Sequence, residues 1–539
     1  MQILIEDFVP SDRSVQWRIH DAYFEKRGIA AWKFGEIPYA ATNNYAIGRQ
    51  HARLLTKAIR EMTRAGALAA DEEIWLLEIG SGLGQFAGNF MRALDEGCGA
   101  FARQFAPRVR YIMSDYSATT VREAMRTPSL APLVATGRII PALFDLRQPR
   151  SLRDLRGAPI EKPLTALLSN YVCCVSPMKV LRKGFEGYSE KYVQVRAEIN
   201  GDESAPEEVI AELFDRPTRP ELMERLDIEV DWRPAQLEEV FPEGPHPDII
   251  RQTLSPLEEA TIIYPYVFLD LLGAIGPAMK RGGIVLINDY GSCEIAAFDG
   301  LQDGRPKHYG NTMNHGVNFL ILDAWCRREG RSHVRTDNPF RAVHSTAIRF
   351  GGEISPAFAS AFARLYVDRH DGEDLLDFVA AAREASTQEA YALAVRFYQR
   401  ALQLDPDHLE ALFRLGEACI DDDQAEQALA PLVRGKLLDS TGYFDFDFQT
   451  GRVFYRLERF DEALAAYERS LAREEDAATH TNIGRVHEDR KEWRKAYDAY
   501  CRALALNPKY ERARRLVEAL RTCWIDMPPV PSAIAGQRN

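Results

Sequence analysis

One short stretch constrains the fold of this 539-residue chain more than any other. Residues 74–77 are apolar, glycines stand at Gly80, Gly82 and Gly84, and an apolar-periodic segment follows at 86–94. This order predicts a strand, a tight turn and a helix. Glycine lets the backbone approach a ligand closely, and the first N–H groups of the helix point to the same place. The stretch therefore predicts an α/β domain with a ligand-binding loop.

The spacing of these glycines argues against a pyrophosphate as the ligand. The dinucleotide fingerprint has glycine at its first, third and sixth positions. Here the third glycine, Gly84, stands at the fifth position, and the sixth is Gln85. A glycine-rich turn alone is also compatible with an ordinary strand-to-helix connection. The functional interpretation therefore depends on the segments that follow.

Further apolar segments alternate with helical patterns over residues 70–290, and each ends in a polar side chain. The polar residues at the ends of the predicted strands are Glu78, Asp115, Asp145, Asn170 and Asp289. The alternation predicts a doubly wound, mostly parallel sheet of the Rossmann type. In such sheets the ligand lies beyond the carboxyl ends of the strands. We therefore expect these side chains to converge on one crevice.

The pattern around the first turn resembles motif I of the class I S-adenosylmethionine-dependent methyltransferases, because an acid, Glu78, precedes the alternate glycines. The segments EIGSGLG, SDYS, LLSNYVCCVSP and INDYG, followed by RPKHYGNTMNHGVNF, resemble the MidA-like methyltransferases over about residues 20–350. Gly35 and Gly48 keep the spacing of two glycines of that family. The family includes the mitochondrial complex I assembly factor, which methylates an arginine of a partner subunit. The resemblance implies a Rossmann-like methyltransferase domain with S-adenosylmethionine as its cofactor.

The resemblance also implies a role for each polar strand end. Glu78 would bind the amino group of the cofactor directly or through water, and the loop would pass under its methionine part. Asp115 would bind the ribose, because a carboxylate accepts two hydrogen bonds from a cis-diol. For Asp145 two roles are equally open: it could cap a helix or turn, or it could contact the adenine edge. The expected cofactor-binding residues are Glu78, Gly80, Gly82, Gly84, Asp115, Tyr116, Asp145, Leu146 and Asn170.

The residues expected at the methyl acceptor follow from the same resemblance. We predict Tyr171 and Asp289 as catalytic residues: Tyr171 lies where the methyl group should emerge, and Asp289 is the nearest remaining acid. A strand-end carboxylate that caps a turn is the alternative reading of Asp289. The expected substrate contacts lie in a segment that folds back over the site in the family, and they are Arg305, His308 and His315. Exposed loop residues with no chemical role are the alternative for these three.

Three family carboxylates are absent from this chain. A Pro-Glu pair of the family is replaced by Ala41 and Thr42, and the two acids of the strand-four motif are replaced by Tyr171 and Cys174. An arginine guanidinium, with a pKa above about 12, needs carboxylates to orient it and draw off its charge. We therefore expect methyl transfer to an unidentified acceptor: arginine, another protein residue or a small molecule. The alternative function is a non-catalytic scaffold or assembly factor that binds the cofactor.

A repeat begins after the α/β pattern ends. Small residues recur every 33 to 35 positions, namely Ala394, Ala428, Ala463 and Ala496, accompanied by Gly416, Gly451 and Gly484. This is the tetratricopeptide pattern, in which small residues stand where paired helices cross. Such an array exposes a groove for a peptide or helix, so we expect a protein partner or substrate there. A dimerisation or packing module is the alternative.

These patterns divide the chain into four parts. We predict a methyltransferase-like domain at 1–352 with an irregular insertion at about 178–255. A linker at 353–373, repeats with a capping helix at 374–524 and a disordered tail at 525–539 follow.

Composition excludes several other classes. A net charge of −12 argues against nucleic acid and anionic lipid as partners. No apolar run of about 18 residues occurs, so we expect no membrane insertion. The eight cysteines include no C-x-x-C pair and the histidines show no metal-ligand spacing. These features predict reduced thiols in a cytoplasmic protein without a metal site.

Overall fold

The structure is a computed structural model that describes residues 2–32, 42–198, 223, 225–309, 311–368, 371–439 and 442–523. The chain divides into two compact units, Met1–Glu373 and Asp374–Asn539. Several positions named in the sequence analysis lie outside the described residues: Gly35, Ala41, the insertion residues 199–222 and the tail at 525–539. Among the described helices, none has the length and apolar character that crossing a bilayer requires.

The first unit is built from strands and helices in alternation. Its strands are β1 (Gln2–Pro10), β2 (Ile74–Ile79), β3 (Val109–Asp115), β4 (Ile139–Leu143), β5 (Arg153–Asp154), β6 (Leu164–Asn170), β7 (Lys179–Gly184), β8 (Gly187–Glu198), β9 (Leu226–Ala235), β10 (Ala260–Tyr264), β11 (Met279–Ser292), β12 (Lys307–Tyr309), β13 (Thr312–Asn314), β14 (Val317–Asn318), β15 (Ser332–Arg335) and β16 (Val343–Arg349). Its helices are α1 (Val15–Arg27), α2 (Tyr45–Arg64), α3 (Gln85–Glu96), α4 (Gly99–Phe105), α5 (Ala118–Ala124), α6 (Ala131–Ala135), α7 (Leu237–Val240), α8 (His246–Leu254), α9 (Tyr266–Ala274), α10 (Phe319–Arg328) and α11 (Pro356–Phe362).

The central sheet has the strand order β15-β16-β11-β6-β2-β3-β4-β5, with β14 beside β11. The five strands from β11 to β4 are parallel, whereas β15 and β16 at one edge and β5 at the other are antiparallel. Successive side chains of a strand point to opposite faces. Leu76 therefore packs in the core beneath α2 and α3, while Leu77 packs in the core beneath α8, α9 and α10. This architecture confirms the predicted doubly wound α/β domain.

A second, antiparallel sheet has the order β1-β8-β7-β10, with β9 paired to β8. The prediction of an irregular insertion at 178–255 was wrong for its described part, because β7, β8 and β9 lie within it. Its charged residues, which suggested a loop, are partly structural. Lys179 is buried in the sheet and pairs with Asp12 at 2.9 Å and with Glu190. Such a buried cation requires its carboxylate partners.

The predicted linker at 353–373 also differs from the structure. Helix α11 begins at Pro356, where the Ser355 hydroxyl accepts a hydrogen bond from the N–H of Phe358 at 3.0 Å, and a π-helix continues at Ala363–Val367. Phe358 and Tyr366 are buried in the core beneath α2. Because these aromatic side chains need that core, the segment belongs to the first unit and does not act as a linker.

The second unit is all-helical, as predicted. Its helices are α12 (Asp371–Thr387), α13 (Tyr391–Leu404), α14 (Leu409–Asp421), α15 (Ala425–Leu438), α16 (Phe446–Arg456), α17 (Phe460–Leu471), α18 (Ala477–Asp489), α19 (Trp493–Leu506) and α20 (Glu511–Cys523). The recurring alanines Ala394, Ala428, Ala463 and Ala496 are fully buried. A Cβ on Gly451 would lie 2.5 Å from the Tyr467 ring, so the small residues permit the helices to cross closely.

Candidate functional site

A cleft of about 1000 Å³ opens at the carboxyl ends of β2, β3, β4 and β6. This is the position at which open α/β sheets bind ligands. Its lining comes from α1, the glycine-rich turn, and the ends of the parallel strands. The lining residues include His20, Asp21, Trp32, Gly80, Ser81, Gly82, Asp115, Tyr116, Asp145, Leu146, Arg147, Asn170 and Tyr171.

The glycine-rich turn adopts a backbone that side chains disfavour. Gly80, Gly82 and Gly84 have φ values of 63°, 50° and 70°, in the left-handed region where glycine carries no penalty. A Cβ on Gly80 would lie 2.6 Å from Val172, and one on Gly82 would lie 2.9 Å from the Trp32 ring. Gly80 and Gly82 line the cleft, whereas Gly84 begins α3 beneath it. The turn thus leaves bare backbone facing the cleft.

Asp115 lies at the end of β3 and lines the cleft, as predicted. Its carboxylate accepts hydrogen bonds from the N–H of Gly82 at 3.1 Å and from the N–H of Ser117 at 3.0 Å. Burial raises the pKa of Asp115 to about 6, although these backbone N–H groups oppose the rise. The carboxylate is therefore fixed beside the glycine turn, where its remaining lone pairs can accept hydrogen bonds from a diol.

Glu78 occupies a different position from the one expected. It does not line the cleft; its side chain is buried beneath the turn, beside Tyr111. Burial raises the pKa of Glu78 to about 8, the Tyr111 hydroxyl lowers it, and the charge of Asp115 raises it further. The Oε2 atom has no hydrogen-bond partner among the described residues. The two acids are thus neighbours, but only Asp115 is open to a ligand in the cleft.

The turn after β4 brings Asp145, Leu146 and Tyr116 to the cleft wall. Asp145 accepts hydrogen bonds from the N–H and the guanidinium of Arg147, both at 2.9 Å. Arg147 in turn pairs with Asp21 of α1 at 2.6 Å. Asp145 therefore acts within its own turn, which is the alternative considered for it above, while Leu146 offers an apolar surface.

Asn170 at the end of β6 is 3 % exposed and lines the cleft. Both its amide nitrogen and its amide oxygen are buried without a hydrogen-bond partner among the described residues. Buried polar groups are normally hydrogen-bonded. The hydrogen-bonding capacity of this amide, at a residue that lines the cleft, is thus unused among the described residues.

Tyr171 follows directly and has a φ of 57°, in the left-handed region that residues other than glycine rarely adopt. Its N–H donates to the carbonyl of Asn288 at 2.9 Å, and its hydroxyl accepts from Asn314 Nδ2 at 3.0 Å. Backbone strain of this kind concentrates at functional sites. Tyr171 is thus held at the cleft wall by one hydrogen bond at its backbone and one at its hydroxyl.

Asp289 does not reach the cleft. It is fully buried, and its Oδ2 accepts hydrogen bonds from the N–H groups of Val172 at 3.2 Å and Cys174 at 3.1 Å. Its Oδ1 accepts from the N–H of Tyr290 at 2.8 Å. Burial raises the pKa of Asp289 to about 6. The structure therefore contradicts its prediction as a catalytic residue, because the carboxylate caps the turn that follows β6.

The three predicted substrate contacts do not line the cleft either. Arg305 is exposed and pairs with Asp303 at 2.9 Å, and His308 is exposed on β12. His315 is buried, and its backbone N–H donates to the carbonyl of Cys174 at 2.7 Å. Burial lowers the pKa of its imidazole to about 3. None of these three residues is therefore placed to contact a substrate in the cleft.

Several residues at the cleft were missed by the sequence analysis. His20 and Asp21 come from α1, and Trp32 follows it. The Nδ1 atom of His20 accepts a hydrogen bond from the N–H of Met313 at 3.0 Å. These residues are far in sequence from the glycine turn and carry no motif.

The lining residues fit an S-adenosyl ligand at three points. Asp115 would accept hydrogen bonds from ribose hydroxyls, bare backbone at Gly80 and Gly82 would give room for an extended chain, and Leu146 would offer an apolar surface to a base. Asn170 contributes an unpaired donor and an unpaired acceptor. Among the described lining residues there is no cluster of cations.

Known proteins resemble different parts of the chain. Two solved structures of one protein superfamily from Burkholderia thailandensis each cover 66 % of this chain: one bound to S-adenosyl-homocysteine (16 % identity, 91 % of that chain, TM-score 0.40) and a second (14 %, 90 %, 0.41). The MamA protein covers 28 % of this chain and 82 % of its own at 23 % identity, with a TM-score of 0.25. No curated protein matches the chain. Two tetratricopeptide repeat family models match residues 385–439 and 448–511, both within the second unit.

Proposed function

We propose that the first unit binds S-adenosylmethionine in the cleft and transfers its methyl group to an acceptor next to Tyr171. The observation that carries the proposal is Asn170: its buried amide is unpaired at both atoms among the described residues and lines the same cleft as the Asp115 carboxylate. A ligand with both donors and acceptors, such as a nucleoside with an amino-acid chain, would satisfy both groups.

In this proposal each described residue holds or orients the ligand. Asp115 would accept hydrogen bonds from the ribose hydroxyls, and the N–H groups of the glycine turn would lie along the amino-acid part. The bound sulfonium compound supplies an electrophilic methyl group. Transfer then depends on positioning, because the nucleophile must approach the methyl carbon to about 3 Å in line with the bond that breaks. The fixed ring of Tyr171 would limit the direction of that approach.

The acceptor would be carried by a protein that the tetratricopeptide repeats recruit. Such arrays present surfaces for peptides and helices, and the helical unit here contains the repeated small-residue crossings that build them. A second candidate function is a cofactor-binding scaffold without catalysis. Its supporting observation is Asp289, since the one acid expected near the acceptor is occupied by backbone N–H groups.

A label-transfer assay with a matched pair of glycine variants tests the enzymatic proposal. The full chain is incubated with methyl-tritiated S-adenosylmethionine and cell extract. Gly82→Arg should abolish labelling, because a side chain there meets Trp32 and enters the cleft. Gly66→Arg is the control, since Gly66 has a similar φ of 69° and open surroundings.

Two outcomes count against the proposal. Equal labelling by the wild type and Gly82→Arg would place the activity elsewhere. Absence of labelled product, together with S-adenosylhomocysteine binding that Gly82→Arg removes in calorimetry, would favour the scaffold.

A further inference from the structure

A second cavity also has Tyr171 in its wall. It is bounded by β10, the end of β11, the segment 297–309 and strands β13 and β14. Its lining residues include Tyr171, Tyr290, Phe298, Gln302, Lys307 and Gly316. Tyr171 lines this cavity and the first cleft as well. A molecule in the second cavity would therefore lie next to the part of the cleft that Tyr171 borders.

Tyr171, which borders both spaces, is held by a hydrogen bond and a ring contact, and the side chains that make these contacts carry no charge. Asn314 Nδ2 donates to the Tyr171 hydroxyl at 3.0 Å and contacts Cys174 Sγ at 3.1 Å. The Tyr171 and Tyr290 rings pack edge to face with their centres 5.4 Å apart. Cys174 is buried, and burial raises the pKa of its thiol.

The remaining walls of the second cavity also lack a negative charge. Among the described lining residues there is no aspartate or glutamate, and the charged member is Lys307. Three acids adjoin lining residues in sequence without lining the cavity themselves: Asp289, Asp299 and Asp303. Asp289 accepts backbone hydrogen bonds at both oxygens, Asp299 is exposed, and Asp303 is exposed and pairs with Arg305 at 2.9 Å. Glu373, which lies behind the lining residue Ala342, accepts from the N–H of Ala342 at 2.8 Å and pairs with Arg341 at 3.0 Å.

We propose that the second cavity binds a planar, uncharged acceptor group of the phenol class and excludes a guanidinium. The inference rests on the proposed methyl transfer and names its acceptor. Aromatic rings at Tyr171, Tyr290 and Phe298 offer faces and edges against which a flat ring packs. A buried guanidinium requires carboxylates to offset its lost hydration. The described walls offer none, and Lys307 repels a second cation.

The reaction balances without a further reactant. A lone pair of the acceptor oxygen forms the bond to the methyl carbon while the carbon–sulfur bond breaks. The electron pair of that bond stays on sulfur, whose positive charge disappears. The acceptor hydroxyl would give its proton to a solvent water that reaches it from the mouth of the cavity, beside the exposed residues Gln302 and Lys307.

A cavity-filling variant tests the proposal independently of cofactor binding. Gly316 lines the second cavity, and a Cβ there would meet its nearest atom, Cα of Gly291, at 3.9 Å, so the side chain of Gly316→Leu would begin in open space and occupy part of the cavity. Gly273→Leu is the control, because Gly273 lies on α9 and a Cβ added there would have nothing within 4 Å. The full chain is saturated with S-adenosylhomocysteine, and binding of p-cresol and of n-butylguanidinium is followed by saturation-transfer NMR.

We expect p-cresol to bind to the wild type and to Gly273→Leu, with at least tenfold weaker binding to Gly316→Leu. We expect no n-butylguanidinium signal that depends on Gly316. Binding of n-butylguanidinium that Gly316→Leu removes would overturn the proposal, and so would p-cresol binding that is equal in all three proteins or absent. If the wild type does not bind S-adenosylhomocysteine, that result would instead refute the proposed function.

A third probe, N-acetyl-tyrosinamide, separates two sources of the phenol. Competition with p-cresol supports an acceptor on a polypeptide. Binding of p-cresol without such competition supports a small-molecule acceptor, since the peptide groups then do not pass the cavity mouth.

Discussion

Lowering the pH through 6 should weaken binding of S-adenosylhomocysteine, because Asp115 must be ionised to accept both ribose hydrogen bonds. Burial raises the pKa of this carboxyl to about 6, against the opposing effect of the N–H groups of Ser117 and Gly82. Above that pH the group is a carboxylate with lone pairs free for the ribose. Below it, the bound proton occupies one of them, so affinity falls as the pH falls.

The size of the effect follows from the same value. With a pKa of about 6, roughly nine-tenths of the protein has ionised Asp115 at about pH 7, and roughly one-tenth at about pH 5. The dissociation constant should therefore rise about tenfold over this range, or about 1.4 kcal/mol. Asp115→Asn retains one acceptor but loses the charge. It should bind about 10 to 100 times more weakly at about pH 7, since a hydrogen bond to a charged group contributes about 1.5–3 kcal/mol.

Isothermal titration calorimetry of the full chain at constant ionic strength measures both effects. The wild type should show the pH dependence, and Asp115→Asn should bind weakly with little pH dependence. Circular dichroism at each pH establishes that the fold is retained. An equal pH dependence in the two proteins would refute the assignment of Asp115 to the ribose, and so would a wild type whose affinity is constant over the range.

Three further changes probe other parts of the molecule. Glu78→Gln should raise the melting temperature above about pH 8 and flatten its pH dependence: burial raises the pKa of Glu78 to about 8, so the folded protein loses stability as pH rises from about 4.5 through 8. A wild-type melting temperature that does not fall over this range would contradict that. Gly84→Ala should be less stable than Gly137→Ala by about 1–3 kcal/mol in urea unfolding, because both glycines have φ near 70° but only a Cβ on Gly84 overlaps its neighbours; equal losses would argue against close packing under the turn. Gly451→Val should lose helical circular dichroism at a lower temperature than the wild type on heating, since the added atoms overlap Tyr467; an unchanged transition would refute the close helix crossing.

The sequence predicted those features that depend on local spacing. The glycine turn, the strand before it and Asp115 at the end of β3 follow from patterns a few residues long. The buried position of Glu78 could not be predicted from such a local pattern. It depends on which face of β2 carries the side chain and on the residues that cover that face. The repeat region was predictable because each unit contacts its neighbours and repeats the same small residues.

Long-range contacts determined what the sequence analysis missed. Asp289 was read as a catalytic acid, but its carboxylate binds N–H groups of Val172 and Cys174, more than a hundred residues away. The same holds for Trp32, which reaches the cleft only because Gly82 has no side chain. The antiparallel sheet within the insertion also includes β1 from the start of the chain, which pairs with β8.

A crystal structure of the full chain with S-adenosylhomocysteine would decide whether the cleft is the cofactor site. We expect the adenosine in the cleft, with ribose hydroxyls within hydrogen-bond distance of the Asp115 carboxylate and a ligand atom paired with the Asn170 amide. A saturated crystal in which the ligand lies elsewhere, or in which Asp115 and Asn170 do not contact it, would contradict the proposed methyl transfer at this cleft.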